Sequence, residues 1–155
     1  GSSLVGSEMC IRDRRLYEYR VTNIRVVDGD TVDVDIDLGF GVWMKKQRIR
    51  LYGIDTPESR TKDKVEKVFG LAAKKRLEEI LSMSDDIVLR SVKDIRGKFG
   101  RILGDFVVYD LAGTCGDLLC AEGHAVRYLG QSKKEIQDEH ERNRQKLISE
   151  GKVVL

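Results

Sequence analysis

From Leu16 to Val27 the chain reads LYEYRVTNIRVV, β-branched and aromatic residues in partial alternation, which predicts a first strand. An Asp-Gly turn signal follows. Val32, Val34 and Ile36 then alternate strictly with Asp33, Asp35 and Asp37, so a second strand with one apolar and one acidic face should pair with the first as a hairpin. A third strand runs from Val42 to Ile54, with Ile49 and Leu51 on one side and Arg48, Arg50 and Tyr52 on the other. Pro57, the sole proline, ends that pattern, and ESRTKDKVEK reads as a charged loop because its Lys and Arg have nothing apolar to lie against.

Beyond the loop the period changes. Phe69, Ala73, Leu77, Ile80 and Leu81 recur at helical spacing from about Val65 to Ser84, with Lys74, Lys75, Glu78 and Glu79 turned to water. DIVLRSV and RILGDFVVYDL are the fourth and fifth strands, joined by the basic, glycine-containing loop KDIRGKFG. GDLLCAEGHAV reads as a short helix, and SKKEIQDEHERNRQKLISEG as a longer polar one capped by Ser132. Five strands in antiparallel succession, with about three helices, make the fold class α+β and β-rich: a five-stranded barrel of OB type.

Composition narrows this little, but charge does. A chain of 155 residues with 41% apolar content suits one globular domain with its own core. The 28 Lys and Arg nearly cancel the 26 Asp and Glu, leaving +2, so an anionic partner has to be held by a local basic cluster rather than a global field. No apolar run approaches the roughly 20 residues needed to span a bilayer, and a soluble protein without a membrane partner is expected. Cys10, Cys115 and Cys120 have neither redox nor zinc spacing and read as free thiols. His124 and His140 read as structural or surface residues.

The first fourteen residues, GSSLVGSEMCIRDR, lack the apolar centre and cleavage site of a secretory signal. Gly1 and Ser2 resemble a tag-cleavage scar, and SLVGSEMCIRDR resembles a translated sequencing adapter. The expectation is a disordered, non-native arm over 1–14, outside functional reasoning with its Cys10, and a single domain over 15–155. Export of the natural protein is therefore not legible.

Three carboxylates stand where strands meet turns: Asp30 in DGDT, and Asp55 and Glu58 in DTPE. Hard divalent cations want oxygen donors, about 6 to 8 for Ca²⁺ with water filling open positions. An EF-hand is excluded, because neither aspartate-rich stretch continues into the required glycine and distal glutamate. Any metal site must therefore be assembled by the fold. Arg50 lies opposite the apolar face of its strand, and Arg101 opens the fifth strand in KFGR. Their planar forks match a phosphate and stay charged at any working pH. Each motif alone has a plain reading as a turn, a helix opening or a surface ion pair worth about 0 to 1 kcal/mol.

Together, VVDGDTV, RIRLYGIDTPE and DIRGKFGRILGDF, in this order and at these distances, resemble the staphylococcal nuclease (thermonuclease) family over about Val21 to Gln145. The resemblance implies an OB-type barrel that hydrolyses DNA and RNA with Ca²⁺, leaving 3′-phosphate ends. It implies Asp30, Asp55 and the Thr56 carbonyl as metal ligands, Glu58 as the residue orienting the attacking water, and Arg50 and Arg101 as phosphate clamps. Substrate grip is expected from Arg60, Lys62 and Lys64 and from Lys93, Arg96 and Lys98, with Phe99 and Tyr128 as stacking candidates on single-stranded or frayed nucleic acid. KVFGLAA lacks the proline often found after that glycine, and GKVVL lacks the family's tryptophan near the C-terminus. Both departures bear on nucleotide preference and tail packing. The alternatives are a catalytically silent nucleic-acid-binding barrel and a barrel for protein interaction. A monomer is expected, since no long apolar stripe is left over.

Overall fold

The computed structural model describes residues 17–96, 100–108 and 113–155. The expected arm over 1–14, Cys10, Lys98 and Phe99 lie outside the described residues. Strands β1 (Glu18–Asp28), β2 (Thr31–Gly39), β3 (Val42–Leu51), β5 (Ile87–Arg96) and β6 (Ile102–Val108) form a closed barrel in the order β1-β2-β3-β6-β5. Two short strands, β4 (Ile54–Asp55) and β7 (Val126–Arg127), pair separately. Helix α1 (Lys64–Leu81) links β4 to β5, α2 (Cys115–Glu122) follows β6, and α3 (Lys133–Ser149) follows β7.

The β-rich α+β barrel read from the pattern is the one observed, with one addition. β3 pairs with β6 in parallel, Ile49 against Ile102 and Leu51 against Gly104. Alternation reveals which face of a strand is apolar, but not which distant strand lies beside it. β5 also extends through Arg96, so the segment read as a basic loop from Lys93 begins as strand.

Val32, Val34, Ile36, Ile49, Leu51, Leu89 and Phe106 fill the barrel, and Leu77, Ile80 and Leu81 of α1 close onto that cluster. Asp63 caps α1 by accepting from the Val65 and Glu66 amides. A second, smaller cluster joins Phe69 of α1 to Leu147 of α3 and to Val153. It fastens the C-terminal helix to the barrel's helical end. Among the described residues no helix is long and apolar enough to cross a membrane.

The acidic face of β2 is not simply solvated. Asp35 is 7% exposed and accepts from Asn23 Nδ2 at 2.7 Å and from the Lys46 amide at 2.8 Å. Asn23 and Lys46 both have left-handed φ, 51° and 53°, and lie where the β1 and β3 registers slip against β2. One carboxylate thus pins a bulge on each neighbouring strand. The Asn23 hydrogen bond, followed by that of Lys46, holds the Asp35 carboxyl below the usual carboxylate range. Stabilisation from a depressed carboxyl is present above its ordinary pKa and is lost as pH falls through the folded value. Asp35→Ala should therefore lower the melting temperature at neutral pH, and the gap from wild type should narrow on acidification. A gap that stays constant down to low pH would show that the carboxylate is not the pin.

Candidate active site

The β1–β2 turn is built for close approach. Asp28 pairs with Thr31 across Gly29 and Asp30, and a Cβ on Gly29 would lie 2.8 Å from Ala73 Cβ of α1 and 3.0 Å from Thr56 Oγ1. Only glycine lets the turn lie this flat against α1 and the segment after β4. Asp30 then accepts from Thr31 Oγ1 at 3.0 Å and from the Thr56 amide at 3.4 Å. Next to it, Asp28 Oδ1 accepts from the Ser59 amide at 3.3 Å, which ties down the chain just after Glu58.

Arg50 is the hub. Its guanidinium donates to the Leu51 carbonyl at 2.7 Å and the Ile54 carbonyl at 3.0 Å, so it shapes the turn from β3 into β4. The same Nη2 lies 3.2 Å from Asp30 Oδ2 and 3.7 Å from Asp55 Oδ1. Two carboxylates that are distant in sequence thereby converge on one nitrogen. Burial pushes the Asp30 carboxyl above its ordinary value, against the lowering effect of Arg50, and the charges of Asp28 and Asp55 push the same way as burial. The locality holds more negative charge than Arg50 offsets.

That excess bears on the calcium expectation. Asp30, Asp55 and Thr56 offer oxygen donors only, and Thr56 Oγ1 is buried without a hydrogen-bond partner. This is the chemistry a hard divalent cation takes. Among the described residues no group of three or more His, Cys, Asp or Glu side chains is placed to hold a metal ion. Water would have to supply much of the coordination, as it commonly does for Ca²⁺. In donor type the residues present fit a hard cation, with water making up the rest of the shell.

A cleft of ≈ 770 Å³ opens here, lined among others by Asp55, Thr56, Glu58, Tyr128, Lys133 and His140. Glu58 is exposed on its wall, its amide held by Glu66 Oε1 at 3.4 Å. Tyr128 is half exposed, its amide donating to the Gly53 carbonyl at 2.8 Å. Arg60 and Lys62 lie exposed on the loop beyond Glu58. Arg101 immediately precedes Ile102, which the parallel register sets beside Ile49, so it enters level with Arg48, about 7 Å along the strand direction from Arg50.

Residues 48–152 match the family model of staphylococcal nuclease homologues, well over half of the chain. The chain belongs to this family. No curated protein matches the chain. Membership makes this staphylococcal nuclease homologue a nuclease-like or nucleic-acid-binding OB-type barrel. The matched segment starts at Arg48, so Asp30 lies outside it and reaches Arg50 and Thr56 through the geometry of the β1–β2 turn.

His140, read as a structural or surface residue, has a contact the sequence did not reveal: its Nε2 lies 2.8 Å from Asp55 Oδ2. The available signal was its place on the stripe Ile136, His140, Leu147, where a polar residue interrupts the buried face of α3. His124 does fit the structural reading, being 8% exposed, with burial lowering its pKa. Cys115 and Cys120 are free thiols, as read, and burial raises both.

Proposed function

We propose that this staphylococcal nuclease homologue is a calcium-dependent phosphodiesterase acting on both DNA and RNA. The observation that carries the reading is the convergence of Asp30 and Asp55 on Arg50 Nη2, at 3.2 and 3.7 Å. A purely structural barrel has no need to set a second carboxylate beside Asp30, whose charge burial already penalises.

Asp30, Asp55 and the Thr56 carbonyl would hold the ion. When bound, Ca²⁺ would polarise a phosphoryl oxygen and offset the charge that grows on it. Arg50 and Arg101 present guanidinium forks to the phosphate oxygens, where charge increases most in the transition state. A guanidinium carries more N–H donors than the observed contacts of Arg50 use, so donors remain for substrate. Glu58 orients a water for in-line attack and accepts its proton. The new bond joins water oxygen to phosphorus, the bond to the 5′ oxygen breaks, that oxygen takes a proton from solvent to leave as a 5′-hydroxyl, and a 3′-phosphate remains. Arg60 and Lys62 follow the backbone without reading bases, Tyr128 offers a stacking face, and Lys98 and Phe99 extend the grip. Such contacts favour single-stranded or frayed substrate.

Digestion of denatured DNA and of RNA with Ca²⁺, with a chelator, and with Asp30→Ala tests the reading. Cleavage of both should require the ion and Asp30. Calcium at about 100 times its Kd should also stabilise the wild type by about 2.7 kcal/mol, a rise of several degrees in Tm that Asp30→Ala lacks. Oligonucleotide binding without cleavage under any of these conditions would make the chain a silent binding barrel instead.

A further inference from the structure

We infer that His140 is a positioning residue for the metal centre: it holds Asp55 by Oδ2 and so presents Oδ1 to the cation. The inference rests on the calcium reading above. A carboxylate only accepts, so the 2.8 Å contact calls for a proton on His140 Nε2. The Asp55 oxygen that His140 leaves unoccupied, Oδ1, lies on the side of Arg50 Nη2, the atom that also meets Asp30. His140 thus engages one oxygen and leaves the other on the side where the second carboxylate waits.

Asp55 needs such a hold. It belongs to a strand of two residues, its side chain is 37% exposed, and its contact with Arg50 at 3.7 Å is too long for a hydrogen bond. The His140 side chain is 13% exposed and rides on a well-anchored helix. Leu147 packs on Phe69, Asn143 Nδ2 donates to the Ala125 carbonyl at 3.2 Å, and the Arg144 guanidinium lies 5.4 Å from the Phe69 ring centroid. Helix α3 therefore steadies Asp55 from a position 85 residues further along the chain. Ligating carboxylates are commonly held by such outer hydrogen bonds, and removing the partner typically costs about 10 to 100-fold in metal affinity.

Calorimetric titration of Ca²⁺ into the full chain tests this with two substitutions that separate hydrogen bonding from packing. His140→Gln keeps an amide N–H that can reach Asp55; His140→Leu fills the space without a donor. His140→Leu should raise the calcium Kd by about 10 to 100-fold, and His140→Gln should recover most of the affinity. The melting temperatures in chelator should not follow that order. Equal or tighter calcium binding in His140→Leu would overturn the inference while the metal reading stands. Loss in Gln with retention in Leu would mark His140 as packing only and would also overturn it. A wild type that neither takes up calcium nor is stabilised by it would remove both readings together.

Discussion

Replacing Arg50 with lysine should lower kcat on denatured DNA by about 10² to 10³-fold, the usual cost of losing one preorganised donor to a developing oxyanion. Lysine keeps the charge but replaces a planar fork with a point donor. The fork is in use before substrate arrives, because its donors meet the Leu51 and Ile54 carbonyls and the Asp30 carboxylate from one fixed position. An ammonium cannot reach all of them at once. Leu51 and Ile54 are both buried, so an orphaned carbonyl there costs about 1 to 3 kcal/mol, and the melting temperature should fall with the activity. Calcium affinity should move far less than kcat, since Asp30 and Asp55 still face one positive charge. Turnover within about tenfold of wild type, in a variant that is folded by circular dichroism, would remove the fork from the mechanism.

How much of this was legible follows from the range of each signal. Asp30, Arg50, Asp55 and Glu58 occupy turns and strand ends whose local patterns mark them, and the structure brings the first three together with Thr56. The alternation of Val32, Val34 and Ile36 predicts a buried face, and all three are buried. Asp35 shares the acidic alternation of Asp33 and Asp37, yet only Asp35 pins both neighbouring bulges, a role set by registers that no single strand encodes. The parallel contact of β3 with β6 and the hydrogen bond of His140 to Asp55 are long-range in the same way. Each depends on where a later element docks, and periodicity carries no information about docking.

Gly70→Ala should reverse the usual sign for a glycine inside a helix. Glycine mid-helix is ordinarily less stable than alanine by about 0.5 to 1 kcal/mol, so on propensity alone the substitution should raise the melting temperature. Gly70 instead lies against other backbone: a Cβ there would come within 2.3 Å of the Glu58 carbonyl oxygen, 2.4 Å of its carbon and 2.6 Å of the Ser59 nitrogen. No rotamer change relieves a clash with main chain, and overpacking of this kind costs about 1 to 3 kcal/mol, more than the propensity gain. The segment that must yield carries Glu58 and the amide that Asp28 Oδ1 holds at 3.3 Å. A shift of about 1 Å in a residue proposed to orient the attacking water can cost about 10²-fold in rate. The expected outcome is a lower melting temperature and a loss of kcat larger than any loss of calcium affinity, because Asp30 and Asp55 lie off the displaced segment. A raised melting temperature with full activity would mean that α1 and the Glu58 loop are not in contact as described. Equal losses of calcium affinity and turnover would place the damage at the metal ligands rather than at Glu58. The variant thus separates the position of Glu58 from its chemistry, which Glu58→Gln cannot do.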